Sequence, residues 1–328
     1  MTPKPGETIV ADLQKRSQKG LDFAKQMLLS EKMEHPKLRE ALEHYLTSWR
    51  IFTHPGLFSL ACETVEGDLD TVASAQAALA MMAAAFDIQD DIIDKSKVKS
   101  DTPTVYGKFG VGMAILLGNA FLIEGFKLLT DASKMFPREK EQKVLDKTKQ
   151  LLFELGNAHA LEVGMKKKGN ITPSEYLKIT EMKAAGLEVD MYLGAVFGGG
   201  KDDEVQILAK VGRILGILAT LRDDLIDVFD IEELCQRVAV NDLPLPLIFA
   251  MQDPVAKEKA SNIIFKPKMT DDDVAELVDI TLAAKPVVEL KEKMQLLIRE
   301  GLDNAHKLLN REVRNLLAIL SFMTEDLQ

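Results

Sequence analysis

Cysteine is almost missing from this chain: among 328 residues only Cys62 and Cys235 carry thiols. Their separation matches no metal or redox spacing, which excludes a disulfide scaffold and a cysteine-ligated zinc site; reduced core thiols in a cytoplasmic protein are expected. Aromatic residues make up 6%, with a single tryptophan, so few rings are available to steer a multi-step cation cyclisation. A basic excess is lacking too. The formal net charge of −10 disfavours nonspecific binding to nucleic acid or anionic membranes. No uncharged apolar run approaches the roughly 18 residues that span a bilayer, and the opening MTPKPGETIVADLQ has no apolar signal core; no transmembrane segment is expected. No serine or cysteine triad is discernible. Gly198-Gly199-Gly200 follows no strand and precedes no Gly-Lys-Ser/Thr, so it reads as a helix-terminating linker rather than a phosphate loop.

Alternating strand patterns are also absent, whereas apolar spacings of three and four recur along long segments. The pattern predicts an all-α protein with helices over 6–30, 36–51, 55–66, 70–94, 105–131, 138–168, 173–197, 202–230, 231–239, 243–252, 254–265, 270–283 and 285–325, the last open to internal breaks. No Pro/Gly/Ser-rich linker divides the chain, so a single domain over 1–328 is expected. The stretch from Thr71 to Ile88 is apolar almost all round, as a central bundle helix must be. It ends in Asp87, Asp90, Asp91 and Asp94, which at i, i+3, i+4 and i+7 share one helical face. Asp223, Asp224 and Asp227 close a second apolar helix in the same way. Acids at a helix C-terminus oppose the macrodipole and repel one another, so both clusters call for cations, and hard divalent ions fit them.

The chain supplies its own controls. Asp271-Asp272-Asp273 after Thr270, and Asp202-Asp203-Glu204, stand at helix starts, where carboxylates complement the dipole. Lys166-Lys167-Lys168 before Gly169-Asn170 reads as a helix C-terminus. His159, alone on a mainly apolar helix, reads as a core or pocket-edge residue.

These residues resemble the trans-isoprenyl diphosphate synthases, or polyprenyl synthetases, of the class I isoprenoid synthase fold, from about Pro55 to Met251. Asp90-Asp91-Ile92-Ile93-Asp94 is similar to the family's first aspartate motif, with Pro103-Thr104 nine residues on, and Leu60-Ala61-Cys62-Glu63 with Gly67-Asp68 matches its upstream segment. Asp223, Asp224 and Asp227 resemble the second motif, followed by Leu243-Pro244-Leu245-Pro246-Leu247. The resemblance implies one large helical bundle around a central apolar cavity, lined by Ala83, Ala84, Ala85 and Phe86. It implies magnesium, three ions in all, held by Asp90, Asp91, Asp94, Asp223, Asp224 and Asp227. Lys183 takes the place of the lysine that holds the allylic diphosphate, and Lys99 keeps a cation there; Arg222, beside Asp223, either approaches the diphosphate or pairs with an acid. A homodimer is implied as well.

The departures fall on the second substrate site. The family's Gly-Gly-Lys-Arg-x-Arg-Pro segment lands on Trp49-Arg50-Ile51-Phe52-Thr53-His54-Pro55; its histidine seven residues before the first motif lands on Ala83, and one arginine of a later pair on Ser100. A diphosphate depends on charge-assisted bonds to such cations. The leading expectation is therefore a magnesium-dependent enzyme that ionises an allylic prenyl diphosphate without isopentenyl diphosphate as acceptor, with a terpene-synthase-like outcome. The alternatives are chain elongation with a rearranged acceptor site, for which Lys37 and Arg39 are candidate cations, and a non-catalytic regulatory subunit.

Overall fold

The computed structural model describes residues 5–166, 172–230, 234–235, 237–238, 243–266, 269–308 and 313–323. Its helices are α1 (Pro5–Ser30), α2 (Pro36–Thr47), α3 (Thr53–Thr64), α4 (Leu69–Ile93), α5 (Val105–Ser133), α6 (Arg138–Lys166), α7 (Pro173–Lys183), α8 (Ala185–Phe197), α9 (Asp202–Asp227), α10 (Leu245–Ala250), α11 (Pro254–Ile264), α12 (Asp271–Ala283), α13 (Lys285–Ala305) and α14 (Val313–Phe322). The protein is all-α, as its periodicity dictates. Contacts divide it into two compact units, one of residues 1–150, 186–209 and 308–316, the other of 151–185, 210–307 and 317–328. The helix expected over 231–239 and the end of the lysine triplet lie largely outside the described residues.

In the first unit α4 is the central helix, packing on α5, α1 and α3, while α2 packs on α5. Alanine makes this possible: Ala75, Ala77, Ala78, Ala80, Ala84 and Ala85 are all fully buried. The facing helix matches with glycine. A methyl on Gly125 would meet the Ala78 carbonyl at 2.9 Å, and one on Gly118 would sit 3.6 Å from the Ala85 carbonyl. Residues 78 and 85 thus oppose 125 and 118, so α4 and α5 run antiparallel along a seam of small residues. Gln76, buried among α1, α3 and α4, donates to the carbonyls of Arg16 at 2.8 Å and Pro55 at 2.9 Å, which satisfies a polar group that burial would otherwise penalise. In the second unit α10 packs on α13, α12 and α7, and α12 packs on α11 and α13. Leu234, Leu247, Ala260, Ile263, Val274 and Leu277 form a core there.

Three differences from the sequence expectations have local causes. The helix expected over 173–197 breaks after Lys183, where Ala184 meets Gly216 of α9 so closely that a methyl on Gly216 would come within 2.7 Å of its Cα. The C-terminal stretch over 285–325, whose expectation already admits internal breaks, divides into α13 and α14. Within α5, Gly110 adopts φ 81°, a non-helical kink open to glycine. Two short strands, β1 (Val98–Lys99) and β2 (Thr102–Pro103), pair as a hairpin whose turn residues Ser100 and Asp101 have φ of 45° and 60°. Strands of two residues carry no alternation to read. The thiols are free, as expected: Cys62 is buried, which pushes its pKa up to about 12, and Cys235 is half-buried.

Over 18-residue windows that tolerate charged residues, α4 and α5 are long and apolar enough to cross a membrane by length and composition alone; α4 is mostly buried, as the core helix of a bundle is, whereas α5 buries 28% of its window. Val111, Ile115, Leu116 and Ile123 of α5 are exposed.

The seam predicts opposite signs for two alanine substitutions. Gly118→Ala, with only ordinary contacts to make, should raise the melting temperature through helix propensity, by at most about 1 kcal/mol. Gly125→Ala forces a backbone shift and should cost about 1–3 kcal/mol. Equilibrium denaturation of both variants measures the pair.

Candidate active site

The first acidic cluster is built by the way α4 stops. The Lys95 backbone takes φ 59°, and Ser96 N–H donates to the Asp91 carbonyl at 2.9 Å, a left-handed helix stop that folds the chain back. The hairpin then returns Lys99 over the last turns of α4. It is held there by Thr104, whose Oγ1 donates to the Ser96 carbonyl at 2.7 Å and accepts from Gly107 N–H at 2.9 Å. Asp91 is buried, Asp87 and Asp90 are half-buried, and Asp94 is exposed. Lys99 Nζ donates to Asp87 Oδ1 at 2.9 Å. It also lies 2.8 Å from Asp91 Oδ1, out of line for a hydrogen bond, so that oxygen has charge compensation without a directed donor. Burial pushes the Asp91 carboxyl up to about 6 against the opposing pull of Lys99. Asp87, whose role the sequence left open, is a seat for Lys99.

Beside this cluster lies a cavity of about 210 Å³, walled by His44, Tyr45, Ser48, Arg50 and Ile51 at the end of α2, by Asp87 and Asp91, and by the hairpin from Lys99 to Val105. His44 Nε2 is 2.7 Å from the Pro103 carbonyl and tethers the hairpin to α2. The cations proposed as substitutes from the sequence do not reach this cavity wall. Arg39 is bound to Glu43 and to the Leu29 carbonyl, while Arg50 lines the cavity next to Ile51. His54 Nδ1 is 2.7 Å from Asp190 Oδ2, and Asp190 is fully buried with Oδ1 unpartnered. Burial pulls the His54 imidazole down, but Asp190 and Asp87 outweigh it and hold it above the usual histidine range.

The second cluster is compensated from outside its own helix. Arg237 Nη1 donates to Asp224 Oδ1 at 3.0 Å and Asp227 Oδ2 at 2.5 Å. The hydroxyl of Tyr176, on α7, donates to Asp224 Oδ1 at 2.9 Å. Asp224 is buried, and its Oδ2 has no hydrogen-bond partner. Burial pushes this carboxyl up to about 6, opposed by Arg237 and Tyr176. Asp223 is exposed and Asp227 half-buried. Tyr176, Arg237, Arg50, Asp190 and His44 were missed in the sequence; each is isolated in the chain, and only the fold gives Tyr176, Arg237, Asp190 and His44 their partners and brings Arg50 to the cavity.

Other predicted residues are engaged locally. Lys183 Nζ is 2.7 Å from Glu162. The Arg222 guanidinium stacks over the Phe322 ring, 4.6 Å from its centroid. Ala84 and Ala85 are fully buried, while Ala83 and Phe86 are half-buried. Among the described residues no three His, Cys, Asp or Glu side chains converge to hold a metal by themselves. The donors nevertheless suit magnesium, which takes one or two carboxylates and completes its shell with phosphate oxygens and water. Among the described residues Asp224 Oδ2 is a buried carboxylate oxygen that accepts no hydrogen bond, whereas Asp91 Oδ1 is ion-paired with Lys99 at 2.8 Å.

Comparison with known proteins places the family and the fold. The polyprenyl synthetase family model matches residues 35–281. The chain is 28% identical to geranylgeranyl diphosphate synthase of Sulfolobus acidocaldarius over 58% of its own length, and spans 58% of that relative. It is 26% identical to the short chain isoprenyl diphosphate synthase of Methanothermobacter thermautotrophicus, covering 74% of this chain and 76% of that one. The crystal structure of geranylgeranyl pyrophosphate synthetase from Pyrococcus horikoshii superposes with a TM-score of 0.85 at 22% identity, over 98% of this chain and 99% of that one. The chain belongs to the polyprenyl synthetase family and has the isoprenoid synthase fold.

Two outcomes follow from the buried acids. Asp91 and Asp224 titrate near 6 in the fold and near about 3.9 in an unfolded chain. Between those values the folded state binds more protons, so their contribution to stability falls as pH rises through the window. In chelator, the melting-temperature gain from pH 7 to pH 5 should shrink in Asp91→Asn and Asp224→Asn. Arg237→Gln, which strands a buried carboxylate, should cost about 3–5 kcal/mol in urea denaturation, and most of that loss should vanish in the double variant with Asp224→Asn.

Proposed function

We propose that the chain is a trans-prenyltransferase that extends an allylic prenyl diphosphate with isopentenyl diphosphate. The carrying observation is the cavity beside the first acidic cluster, where Arg50 and His44 face Lys99, Asp87 and Asp91. The charge expected at residues 51 and 52 is thereby supplied one position earlier, by Arg50. The acceptor diphosphate would be held by Arg50, and the allylic diphosphate by Lys99, Lys183 and Arg222. Ala83, Ala85 and Phe86 are the proposed walls for the prenyl chain. In this reading the allylic carbon–oxygen bond ionises, pyrophosphate leaves, the isopentenyl double bond attacks the allylic cation to form a carbon–carbon bond, and the tertiary cation so formed loses a proton to give the new double bond. Apolar walls keep water from the cation.

Magnesium, when bound, would neutralise the charge that grows on the leaving diphosphate. Its proposed ligands are Asp90, Asp91 and Asp94 in one unit and Asp223, Asp224 and Asp227 in the other. The buried oxygens of Asp91 and Asp224 support this choice. The reading extends to a single functional domain over 1–328, a homodimer and a cytoplasmic setting.

A second reading is favoured by one observation. Ile51 lines the cavity where the family resemblance implies a lysine, and Phe52 and Ser100 are likewise uncharged. Ionisation without elongation, giving a terpene-synthase-like product, follows if Arg50 does not hold the acceptor. Incubation with magnesium and geranyl, farnesyl or geranylgeranyl diphosphate, with and without isopentenyl diphosphate, separates the two by product mass. A longer prenyl diphosphate formed only with isopentenyl diphosphate is expected; a hydrocarbon or alcohol formed without it would replace the first reading with the second. Arg50→Gln should raise KM for isopentenyl diphosphate about 10- to 100-fold with little change for the allylic substrate. Asp90→Ala and Asp224→Ala should abolish turnover.

A further inference from the structure

Asp224 is held in an unusual way. Among the described residues two donors reach it, the Tyr176 hydroxyl at 2.9 Å and the Arg237 guanidinium at 3.0 Å, and both converge on the same oxygen, Oδ1. The other oxygen, Oδ2, is buried and accepts no hydrogen bond from the described residues. An unsatisfied carboxylate oxygen in such surroundings is costly, and two donors on its twin fix the plane of the group so that it cannot turn to relieve the cost. Tyr176 is itself buried, in the first half of α7. The helix is fixed at its start by a capping box between Thr172 and Glu175, directly before the tyrosine. Arg237 is shared with Asp227, and its Nη2 lies 3.4 Å from the tyrosine oxygen, so tyrosine, arginine and the two acids form one closed network.

We propose that Tyr176 is a positioning residue: by occupying Oδ1 of Asp224 it presents Oδ2 as the sole coordinating oxygen for a hard divalent cation. This rests on the reading of Asp224 as a metal ligand. Tyr176 touches neither substrate nor cation; it acts by setting which oxygen, at which angle, meets the ion. Outer partners of metal-bound carboxylates have this effect elsewhere, and their loss lowers metal affinity about 10- to 100-fold.

The sign of the effect separates positioning from the alternatives. A hydroxyl that only drew charge from the carboxylate would, on removal, leave Asp224 a stronger ligand and raise metal affinity. One that only filled space would change stability and leave affinity alone. The test is calorimetric titration of Mg2+ into the full chain with saturating inorganic pyrophosphate, repeated with Mn2+ by electron paramagnetic resonance, on wild type, Tyr176→Phe and Asp224→Asn. Wild type should bind and Asp224→Asn should lose the response. Tyr176→Phe, isosteric but for the hydroxyl, should bind at least about tenfold more weakly while keeping its helical circular dichroism. Unchanged or tighter binding in Tyr176→Phe, beside a lost response in Asp224→Asn, overturns the role of Tyr176 and leaves the metal assignment standing. No Mg2+ response in wild type, or an unaltered one in Asp224→Asn, overturns both. Should Tyr176→Phe unfold, Tyr176→Met carries the same comparison.

Discussion

Carboxylates at the C-terminal ends of apolar helices are the constraint on which this structure turns. Their helix dipoles oppose them, burial raises the cost of their charge, and their neighbours are alike in sign. Each cluster is balanced by a cation that arrives from beyond its own helix: Lys99 from the hairpin after α4, and Arg237, ten residues beyond Asp227. In the first unit the surrounding backbone is shaped to deliver that cation. The left-handed stop at Lys95, the strained turn at Ser100 and Asp101, and the hydrogen bonds of Thr104 exist in one arrangement whose outcome is an ammonium over Asp87 and Asp91.

The same balance explains why the acids are not inert salt bridges. Lys99 meets Asp91 without a directed hydrogen bond, and Arg237 and Tyr176 leave Oδ2 of Asp224 bare. Buried ion pairs that are complete on every lone pair are structural; these are complete on one side only. Charge is neutralised enough for the chain to fold, and under the proposed metal reading Oδ2 of Asp224 is the oxygen left for an ion.

Much of the framework is legible in the sequence, because long amphipathic or apolar helices advertise their period. The run from Thr71 to Asp94 specified both the central helix and the register of the acids on it. The alanines and glycines of the seam were visible as residues but not as partners, since nothing local links 78 to 125. For the same reason Tyr176 and Arg237 stayed hidden: one is an ordinary helix residue, the other an isolated arginine, and each becomes part of a site only by folding. The loss of charge read from Ile51 and Phe52 was real at those positions. Its meaning changed because Arg50, one residue earlier, turns to the cavity wall, a matter of side-chain direction that spacing in the chain does not fix.

The seam between α4 and α5 acts as a ruler. Its two small-residue contacts, 78 against 125 and 85 against 118, are seven residues apart on each helix, and the buried carboxylate stands six residues beyond the second of them on α4. Adding or deleting one residue between Ala85 and Asp91 would swing Asp91 and Asp94 by about 100° and shift them by about 1.5 Å, with the seam still engaged. The length of that six-residue span, more than the identity of the residues within it, therefore sets where the negative charge points.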